Sequence, residues 1–288
     1  MKFALLLGFS DYRDFPALAQ AAEQAGFNSM CMPDSLFYPK STDSEYPYND
    51  TQTIRNYIGA SAFIEPFISM ATMAAVTSRI RFYPSVLKVP VRQPLVLAKL
   101  LTSLAVVSNG RVALGAGLSP WKEDFTYNGV RFERRGVLMD ECIAIIRGMM
   151  SGEYFEYHSE NYDFGPLKMN PVPEKPVPIL IGGHAAPALK RAARIGDGWI
   201  SANSDYDSLA KLIAELNGYR REFGTADRKD FEIHVIDSYA HRPEDFQRLE
   251  ALGVTESALI PWAPEVRDRQ GQLDAIKRFG ETVIPRVQ

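Results

Sequence analysis

Short continuous apolar runs alternate along the chain with longer stretches of helical spacing. A run that is apolar on both faces is typical of a parallel strand covered by helices on each side of the sheet. Eight such runs predict strands over Lys2–Gly8, Ser29–Pro33, Ile80–Leu87, Arg111–Gly117, Val177–Gly182, Gly198–Ser201, Phe231–Asp237 and Glu256–Pro261.

Eight further segments carry helical spacing or helix signals, and several begin with proline in the first turn, where its missing N–H is not needed. They predict helices over Asp14–Ala25, Pro66–Ser78, Pro94–Val107, Glu133–Met150, Pro187–Arg194, Tyr206–Phe223, Pro243–Leu252 and Asp268–Val283. Strict alternation indicates βαβ units, and the count of eight favours a closed (β/α)8 TIM barrel over an open doubly wound sheet. We expect one domain over residues 1–288.

Two segments depart from this alternation. Leu36–Phe63 is polar, aromatic and helix-poor, and it is far longer than a usual βα loop. In a barrel it would lie at the C-terminal mouth, where active sites are built. Ser151–Pro178 is rich in aromatic residues and proline, and it predicts a β-hairpin before the fifth strand.

Composition narrows the class of partner. Among 288 residues, 46% are hydrophobic, and 32 basic against 35 acidic residues give a net charge of −3. This balance gives no basic surface suited to nucleic acid or an anionic membrane, so we expect a small organic molecule as partner.

The apolar run at the start of the sequence is interrupted too early for a signal peptide, and no apolar run is long enough to span a membrane. Cys31 and Cys142 lie in apolar runs and predict buried free thiols, so we expect a reduced, cytoplasmic protein.

Small and polar residues occupy the predicted strand ends, which converge on one mouth in a barrel. Gly115-Ala116-Gly117 ends the fourth strand, and other strand ends carry Ser10, Ser35, Ser85, Gly183 and Ser201. A partial glycine pattern of this kind is weak on its own.

Gly182-Gly183-His184 follows a strand and precedes a helix. Its amides and the helix dipole predict an anion site suited to a phosphate, although a simple turn with His184 as a polar residue fits equally well. The other histidines, His158, His234 and His241, are too scattered to predict a metal centre.

Asp34 and Glu65 are the candidate catalytic acids or bases. Asp34 follows the second strand and Glu65 precedes a predicted helix. A carboxylate at a helix N-terminus complements the dipole, so a structural role is favoured for both.

An ordered series of short blocks is similar to the bacterial luciferase-like oxidoreductases over about residues 1–200. The blocks are Glu65-Pro66-Phe67, Thr77-Ser78-Arg79-Ile80-Arg81, Pro90-Val91-Arg92-Gln93-Pro94, Leu97-Ala98-Lys99, Ser108-Asn109-Gly110-Arg111, Leu114-Gly115-Ala116-Gly117, Phe132-Glu133-Arg134-Arg135-Gly136, Asp140-Glu141, Ile181-Gly182-Gly183 and Ala192-Ala193-Arg194-Ile195-Gly196-Asp197-Gly198-Trp199. The resemblance implies a (β/α)8 barrel that binds FMN or the deazaflavin coenzyme F-420 at its C-terminal mouth. Tyr46-Pro47-Tyr48 is most similar to the deazaflavin branch. The resemblance together with the strand-end pattern gives a cofactor-binding set of Ser10, Ser85, Val86, Gly115, Ala116, Gly117, Gly182, Gly183, His184 and Trp199.

The third predicted strand contains Pro84, which cannot donate to a sheet and predicts a bulge. The resemblance implies a non-prolyl cis peptide at Ser85–Val86, under the central ring of the cofactor. The alternative is an ordinary bulge with every bond trans.

The sequence departs from the family pattern at two positions. Ser35 follows Asp34 where many relatives have histidine, and Leu118 follows Gly117 where deazaflavin dehydrogenases of sugar phosphates have glutamate. A sugar-phosphate mechanism that relies on those groups is therefore not expected.

The leading hypothesis is an oxidoreductase that moves a hydride between the cofactor and a small organic substrate, with oxygen activation for monooxygenation open if the cofactor is FMN. A non-catalytic flavin-binding or cofactor-free protein on the same barrel is the alternative. A metal-dependent hydrolase using Asp34, Glu65 and His184 is disfavoured because no strand carries paired ligands.

The resemblance also implies a homodimer. Apolar residues of the early helices are the candidates for its interface: Phe67, Ile68, Met70, Met73 and Leu97.

Overall fold

The computed structural model describes residues 1–7, 10–236 and 240–287. Gly8 and Asp237, the predicted ends of two strands, lie outside the described residues. The strands are β1 (Lys2–Leu6), β2 (Ser29–Met32), β3 (Arg81–Pro84), β4 (Leu87–Lys88), β5 (Leu114–Gly117), β6 (Phe155–His158), β7 (Asp163–Leu167), β8 (Ile179–Gly182), β9 (Gly198–Ala202), β10 (Glu232–Ile236) and β11 (Glu256–Leu259). The helices are α1 (Phe15–Ala25), α2 (Thr51–Ala60), α3 (Pro66–Ala74), α4 (Pro94–Val107), α5 (Lys122–Thr126), α6 (Arg135–Met149), α7 (Ala186–Ile195), α8 (Tyr206–Glu222), α9 (Pro243–Ala251), α10 (Arg269–Thr282) and α11 (Ile284–Val287).

Nine parallel strands form one sheet in the order β3-β2-β1-β11-β10-β9-β8-β5-β4. The two end strands, β3 and β4, are consecutive in the chain and separated only by Ser85–Val86, so together they make the third strand of a barrel. A parallel bridge between Phe82 and Val112 joins the same seam. The predicted eight-stranded (β/α)8 barrel is confirmed, with its third strand interrupted where Pro84 predicts a bulge. The Ser85–Val86 peptide bond is cis.

The mouth segment 36–63 differs from its prediction as a helix-poor stretch because it contains the ten-residue helix α2. The carboxylate of Asp50 accepts a hydrogen bond from the amide of Thr53 at 2.8 Å and so begins this helix. Ile54, Tyr57 and Ile58 follow helical spacing, but the stripe is short, none of the helix's residues is fully buried, and the polar composition of the surrounding segment hides it. The short helix α5 was also not predicted, whereas the predicted hairpin is present as antiparallel β6 and β7.

The second predicted helix, Pro66–Ser78, is too long, because α3 ends at Ala74. The carboxylate of Glu23 accepts hydrogen bonds from the amides of Ser78, Arg79 and Ile80 at 3.0, 2.6 and 2.9 Å. Because these three amides donate to Glu23, residues 78–80 leave the helical conformation and lead into β3. The helical spacing of apolar residues continues past Ala74, but these amides bond to the Glu23 carboxylate instead of to carbonyls of the helix.

The barrel interior is apolar near its middle and polar at the N-terminal strand ends. Glu256 accepts hydrogen bonds from the hydroxyls of Ser29 and Tyr83, each at 2.8 Å. Glu232 lies 2.8 Å from both Arg81 Nη1 and His234 Nε2. A barrel core is usually filled by branched apolar residues, so this polar layer departs from the usual pattern.

The two cysteines are buried free thiols, as predicted. Burial raises the pKa of the Cys31 thiol to about 12 and that of Cys142 to about 11. Both side chains are therefore neutral packing groups at physiological pH. None of the helices in the described ranges has the length and apolar character needed to cross a bilayer.

Glu232 makes stability depend on pH. Burial alone would raise the pKa of this carboxyl, but the hydrogen bonds from His234 and Arg81 outweigh burial and lower the pKa to about 2. A lowered folded-state pKa stabilises above the unfolded value and is lost as pH falls toward 2, so we expect about 3 kcal/mol of the unfolding free energy to disappear across pH 5 to 2. Urea titrations of Glu232→Gln over this range should show a flatter dependence on pH. Identical slopes for the two proteins would contradict this assignment.

Candidate functional site

A cavity of about 380 Å³ opens at the C-terminal ends of the strands. Its walls come from the ends of β2, β4, β5, β8, β9 and β10, from the mouth segment 36–63 and from the start of α7. The volume falls within the range of small-molecule and cofactor sites, and a C-terminal location is where barrel enzymes place them.

Val86 forms the floor of the cavity, and two glycines make room for its side chain. A Cβ built on Gly117 would lie 2.2 Å from Val86 Cγ2, and one built on Gly182 would lie 2.7 Å from Val86 Cγ1. Any other residue at these strand ends would displace Val86. The interrupted third strand and the ends of β5 and β8 therefore meet in one apolar platform, which we call the Val86 platform (Val86, Gly117 and Gly182).

The strand-to-helix turn at Gly183 and His184 forms one wall. Gly183 has a φ of 120°, which only glycine adopts readily, and its carbonyl accepts a hydrogen bond from Trp199 Nε1 at 2.8 Å. The N-cap residue of α7, Ala185, has no side chain that can cap the helix, and the positive end of the helix dipole borders the cavity. The ring of Tyr48 lies beside the turn and packs edge-on against the His184 ring, with centroids 4.7 Å apart.

His184 is a neutral imidazole with its tautomer fixed by neighbours. Burial lowers the pKa of this ring below its usual range, so it is uncharged at pH 7. Its Nε2 accepts a hydrogen bond from the amide of Ala202 at 3.2 Å and lies 3.0 Å from the hydroxyl of Ser201. The ring proton therefore resides on Nδ1, which is the donor that remains for other partners.

The mouth segment is fastened over the cavity by polar and aromatic contacts. Thr42 Oγ1 donates to Glu123 at 3.0 Å, and the amide of Lys122 donates to Ser44 at the same distance. The ring of Tyr46 stacks on Trp121 with centroids 6.0 Å apart. These contacts hold the aromatic side chains of Tyr46 and Trp121 in the wall of the cavity.

The two candidate catalytic carboxylates, Asp34 and Glu65, both accept hydrogen bonds from neighbouring groups. Asp34 lines the cavity, but it accepts hydrogen bonds from both Arg92 terminal nitrogens at 2.7 and 2.8 Å and from the amide of Lys88 at 2.9 Å. Glu65 caps α3 by accepting from the amides of Phe67 and Ile68 at 2.7 and 3.3 Å. Their contacts are those of positioning residues that hold the third strand and the start of α3.

Six of the ten predicted cofactor-binding residues line this cavity: Ser85, Val86, Gly117, Gly182, Gly183 and His184. Ala116 and Trp199 are fully buried, and Trp199 reaches the site through its bond to Gly183 and through its ring, whose centroid lies 6.0 Å from that of His184. Gly115 packs against the third strand, where a Cβ would lie 2.0 Å from the carbonyl oxygen of Pro84. Ser10 lines a separate cavity.

A buried ion pair at the cavity edge was not found by sequence reasoning. Lys88 Nζ lies 2.6 Å from Asp124, and the hydroxyl of Ser119 donates to the same carboxylate. Both Lys88 and Ser119 line the cavity. The available signal was one lysine in the apolar run 86–91. Within the ranges that the structure describes, no three His, Cys, Asp or Glu side chains group as metal ligands.

Comparison with known proteins gives a match to the family described as luciferase-like monooxygenase over residues 4–277. An uncharacterized protein of Mycobacterium tuberculosis is 43% identical, and the match covers 100% of each chain. An F-420-dependent hydroxymycolic acid dehydrogenase of the same organism is 33% identical over 83% of this chain and 64% of that protein.

Two solved structures share the fold. The F-420-dependent tetrahydromethanopterin reductase from Methanopyrus kandleri superimposes with a TM-score of 0.77 at 16% identity, covering 100% of this chain and 99% of that one. The oxygenating constituent of 3,6-diketocamphane monooxygenase from Pseudomonas putida, in complex with FMN, gives a TM-score of 0.75 at 15% identity with the same coverage. At these identities the likeness concerns the fold alone.

The Lys88–Asp124 pair provides a stability prediction for the site. Lys88→Met would leave Asp124 buried without its counter-charge, which typically costs about 3 kcal/mol or more. The double variant Lys88→Met/Asp124→Leu removes both charges and should recover most of that loss in a urea titration. If the single variant were as stable as the double variant, the pair would not be the buried interaction described here.

Proposed function

The chain belongs to the luciferase-like monooxygenase family, and from that membership and the cavity at the barrel mouth we propose that it is a flavin- or deazaflavin-dependent oxidoreductase acting on a small organic substrate. The observation that carries the proposal is the Val86 platform beside an uncapped helix start in one cavity. An apolar floor next to an anion site matches a molecule with a planar ring and a phosphate.

The chain's residues fit such a cofactor in three ways. The Val86 platform would support the ring, because both flanking glycines exclude side chains from its surface. Gly183, His184 and the first turn of α7 would hold the phosphate through backbone amides and the helix dipole. Tyr48 lines the cavity beside His184 and would offer its hydroxyl as a hydrogen-bond donor to the ligand.

We propose coenzyme F-420 rather than FMN as the cofactor. Support comes from Tyr46-Pro47-Tyr48, which is similar to the deazaflavin branch, and from the 33% identical relative named as F-420-dependent. When bound, F-420 supplies hydride chemistry, whereas FMN also supplies oxygen chemistry. Val86 would orient the ring, His184 and its turn would hold the anionic end, and Tyr46 and Trp121 would limit the access of water to the ring.

We also propose that the protein is a homodimer through α3 and α4. Of the five apolar residues that sequence suggested for the interface, Phe67, Met70, Met73 and Leu97 are buried in the core, because they lie on the inner faces of their helices. Ile68 remains exposed, and neighbouring positions add Val96, Leu100 and Val107. Exposed aliphatic side chains on two adjacent helices form a surface suited to a second copy of the chain.

The dimer proposal is tested by placing charged side chains on the exposed apolar surface of α3 and α4. Ile68 and Val96 are each 60% exposed, so Ile68→Lys/Val96→Glu should leave the fold intact while disrupting an apolar interface. Light scattering should report a dimer for the unmodified chain and a monomer for the double variant. Val137→Glu, on an exposed site of α6, is the control and should stay dimeric. A monomer without any substitution would reject the proposal.

The cofactor proposal is tested by titration with F-420 and with FMN, followed by absorbance and fluorescence. We expect F-420 to bind more tightly, and Gly183→Leu to weaken that binding at least about tenfold because a side chain there fills the phosphate turn. Gly253→Leu is the matched control: Gly253 also has a positive φ, of 94°, but it lies at the turn before β11, away from the cavity. Both variants place a side chain at a positive φ, but the Cβ at Gly183 would also lie 2.9 Å from Ala188 Cβ, whereas the Cβ at Gly253 meets nothing within 4 Å. The melting temperatures of both variants are therefore measured beside their affinities.

Three outcomes would count against this account. Tighter binding of FMN would replace the deazaflavin assignment with a flavin one. Equal affinities of the Gly183 and Gly253 variants would remove the phosphate assignment. Failure of both cofactors to bind would favour the non-catalytic alternative on the same barrel.

A further inference from the structure

A second cavity of about 290 Å³ lies next to the Val86 cavity, and Pro33 and Phe63 line both. We call it the side chamber. Its walls come from Leu7 and residues 10–13 and 15 after β1, from segment 60–64 and from Ser69 of α3. The proposed function gives no role to this space.

The side chamber contains a buried hydroxyl without a hydrogen-bond partner. Ser69, on α3, is 3% exposed, and its Oγ pairs with no atom of the described chain. Helical hydroxyls usually bond to a carbonyl one turn earlier, as Thr72 of the same helix does to Ser69 O at 2.8 Å. Ser69 forgoes this bond and lines the chamber.

The side chamber contains a second buried hydroxyl of this kind, that of Ser10. Ser10 Oγ is buried and likewise has no partner among the described residues. A buried polar atom without a partner destabilises a protein, so two in one cavity point to a ligand that pairs with them. The two serines come from different elements, the β1–α1 turn and α3, which converge only in the folded barrel.

The remaining lining describes that ligand. Leu7, Phe15 and Met32 give apolar walls, and Arg13 pairs with Asp11 at 2.9 Å. An ammonium group carries donors and no acceptor, so a cationic amine cannot accept the protons of the two hydroxyls. An apolar body fits the walls, and an acceptor oxygen fits the two hydroxyls.

We propose that the side chamber binds an apolar organic carbonyl compound, neutral or singly negative, whose oxygen accepts hydrogen bonds from Ser69 and Ser10. Binding requires no cofactor. The further role of this molecule as the substrate, held against the wall at Pro33 and Phe63, rests on the proposed function.

Hexanoate is a suitable probe because it combines a carboxylate with an aliphatic body, and hexylamine is its cationic counterpart. Titrations of the full chain without cofactor, followed by NMR, should show saturable binding of hexanoate and none of hexylamine. Ser69→Ala and Ser10→Ala should each weaken hexanoate about fivefold, the usual effect of one lost hydrogen bond. Ser69→Ala should also raise the melting temperature, because it removes an unpaired buried hydroxyl.

Ser108→Ala is the matched control. Ser108 is fully buried and outside the chamber, and its hydroxyl donates to the carbonyl of Ala105 at 3.3 Å. This variant should bind hexanoate as the unmodified chain does and should melt at a slightly lower temperature. The opposite shifts in melting temperature separate a hydroxyl held for a ligand from one that serves the fold.

The proposal is overturned if hexanoate does not bind saturably, if the two chamber variants bind it unchanged, or if hexylamine binds as well. The F-420 and FMN titrations of the same preparations keep the two proposals distinct. Hexanoate binding without binding of either cofactor would reject the oxidoreductase and retain the chamber. Cofactor binding without hexanoate binding would reject the chamber alone.

Discussion

The packing of Val86 between Gly117 and Gly182 joins the fold to the site. The third strand of the barrel pairs with β2 before Ser85–Val86 and with β5 after it, so the sheet closes across an interruption. At that interruption the side chain of Val86 fills space that a Cβ on either glycine would occupy. Barrel closure and the floor of the cavity therefore depend on the same three residues.

The carboxylates around the cavity floor bind backbone amides and basic side chains instead of serving as free acids or bases. Asp34 ties Arg92 to the amide of Lys88, and Lys88 in turn pairs with Asp124. Such pairs fix the end of the third strand and the turn after β5, which carry the walls of the cavity. Preorganised walls of this kind let a bound ring take one orientation without the cost of ordering the site at the moment of binding.

The sequence was sufficient for the barrel because each βαβ unit carries its own local signals. Apolar runs marked every strand of the barrel, and Pro84 marked the interruption. It was insufficient for α2, which packs without a fully buried residue, and for the end of α3, which depends on the distant carboxylate of Glu23.

The same division holds within the site. Glycines and strand ends are visible in sequence, so Gly117, Gly182 and Gly183 could be placed at the mouth in advance. Lys88 with Asp124, and the unpaired hydroxyls of Ser10 and Ser69, depend on which side chains meet across elements. No local pattern encodes such meetings, and Ser10 was assigned to the cofactor cavity although it lines its neighbour.

The most direct measurement of the central claim is a crystal structure of the chain with coenzyme F-420 bound. The account predicts the deazaflavin ring on Val86 and the phosphate at Gly183 and the first turn of α7. A ring in the side chamber, or a phosphate away from this turn, would contradict it.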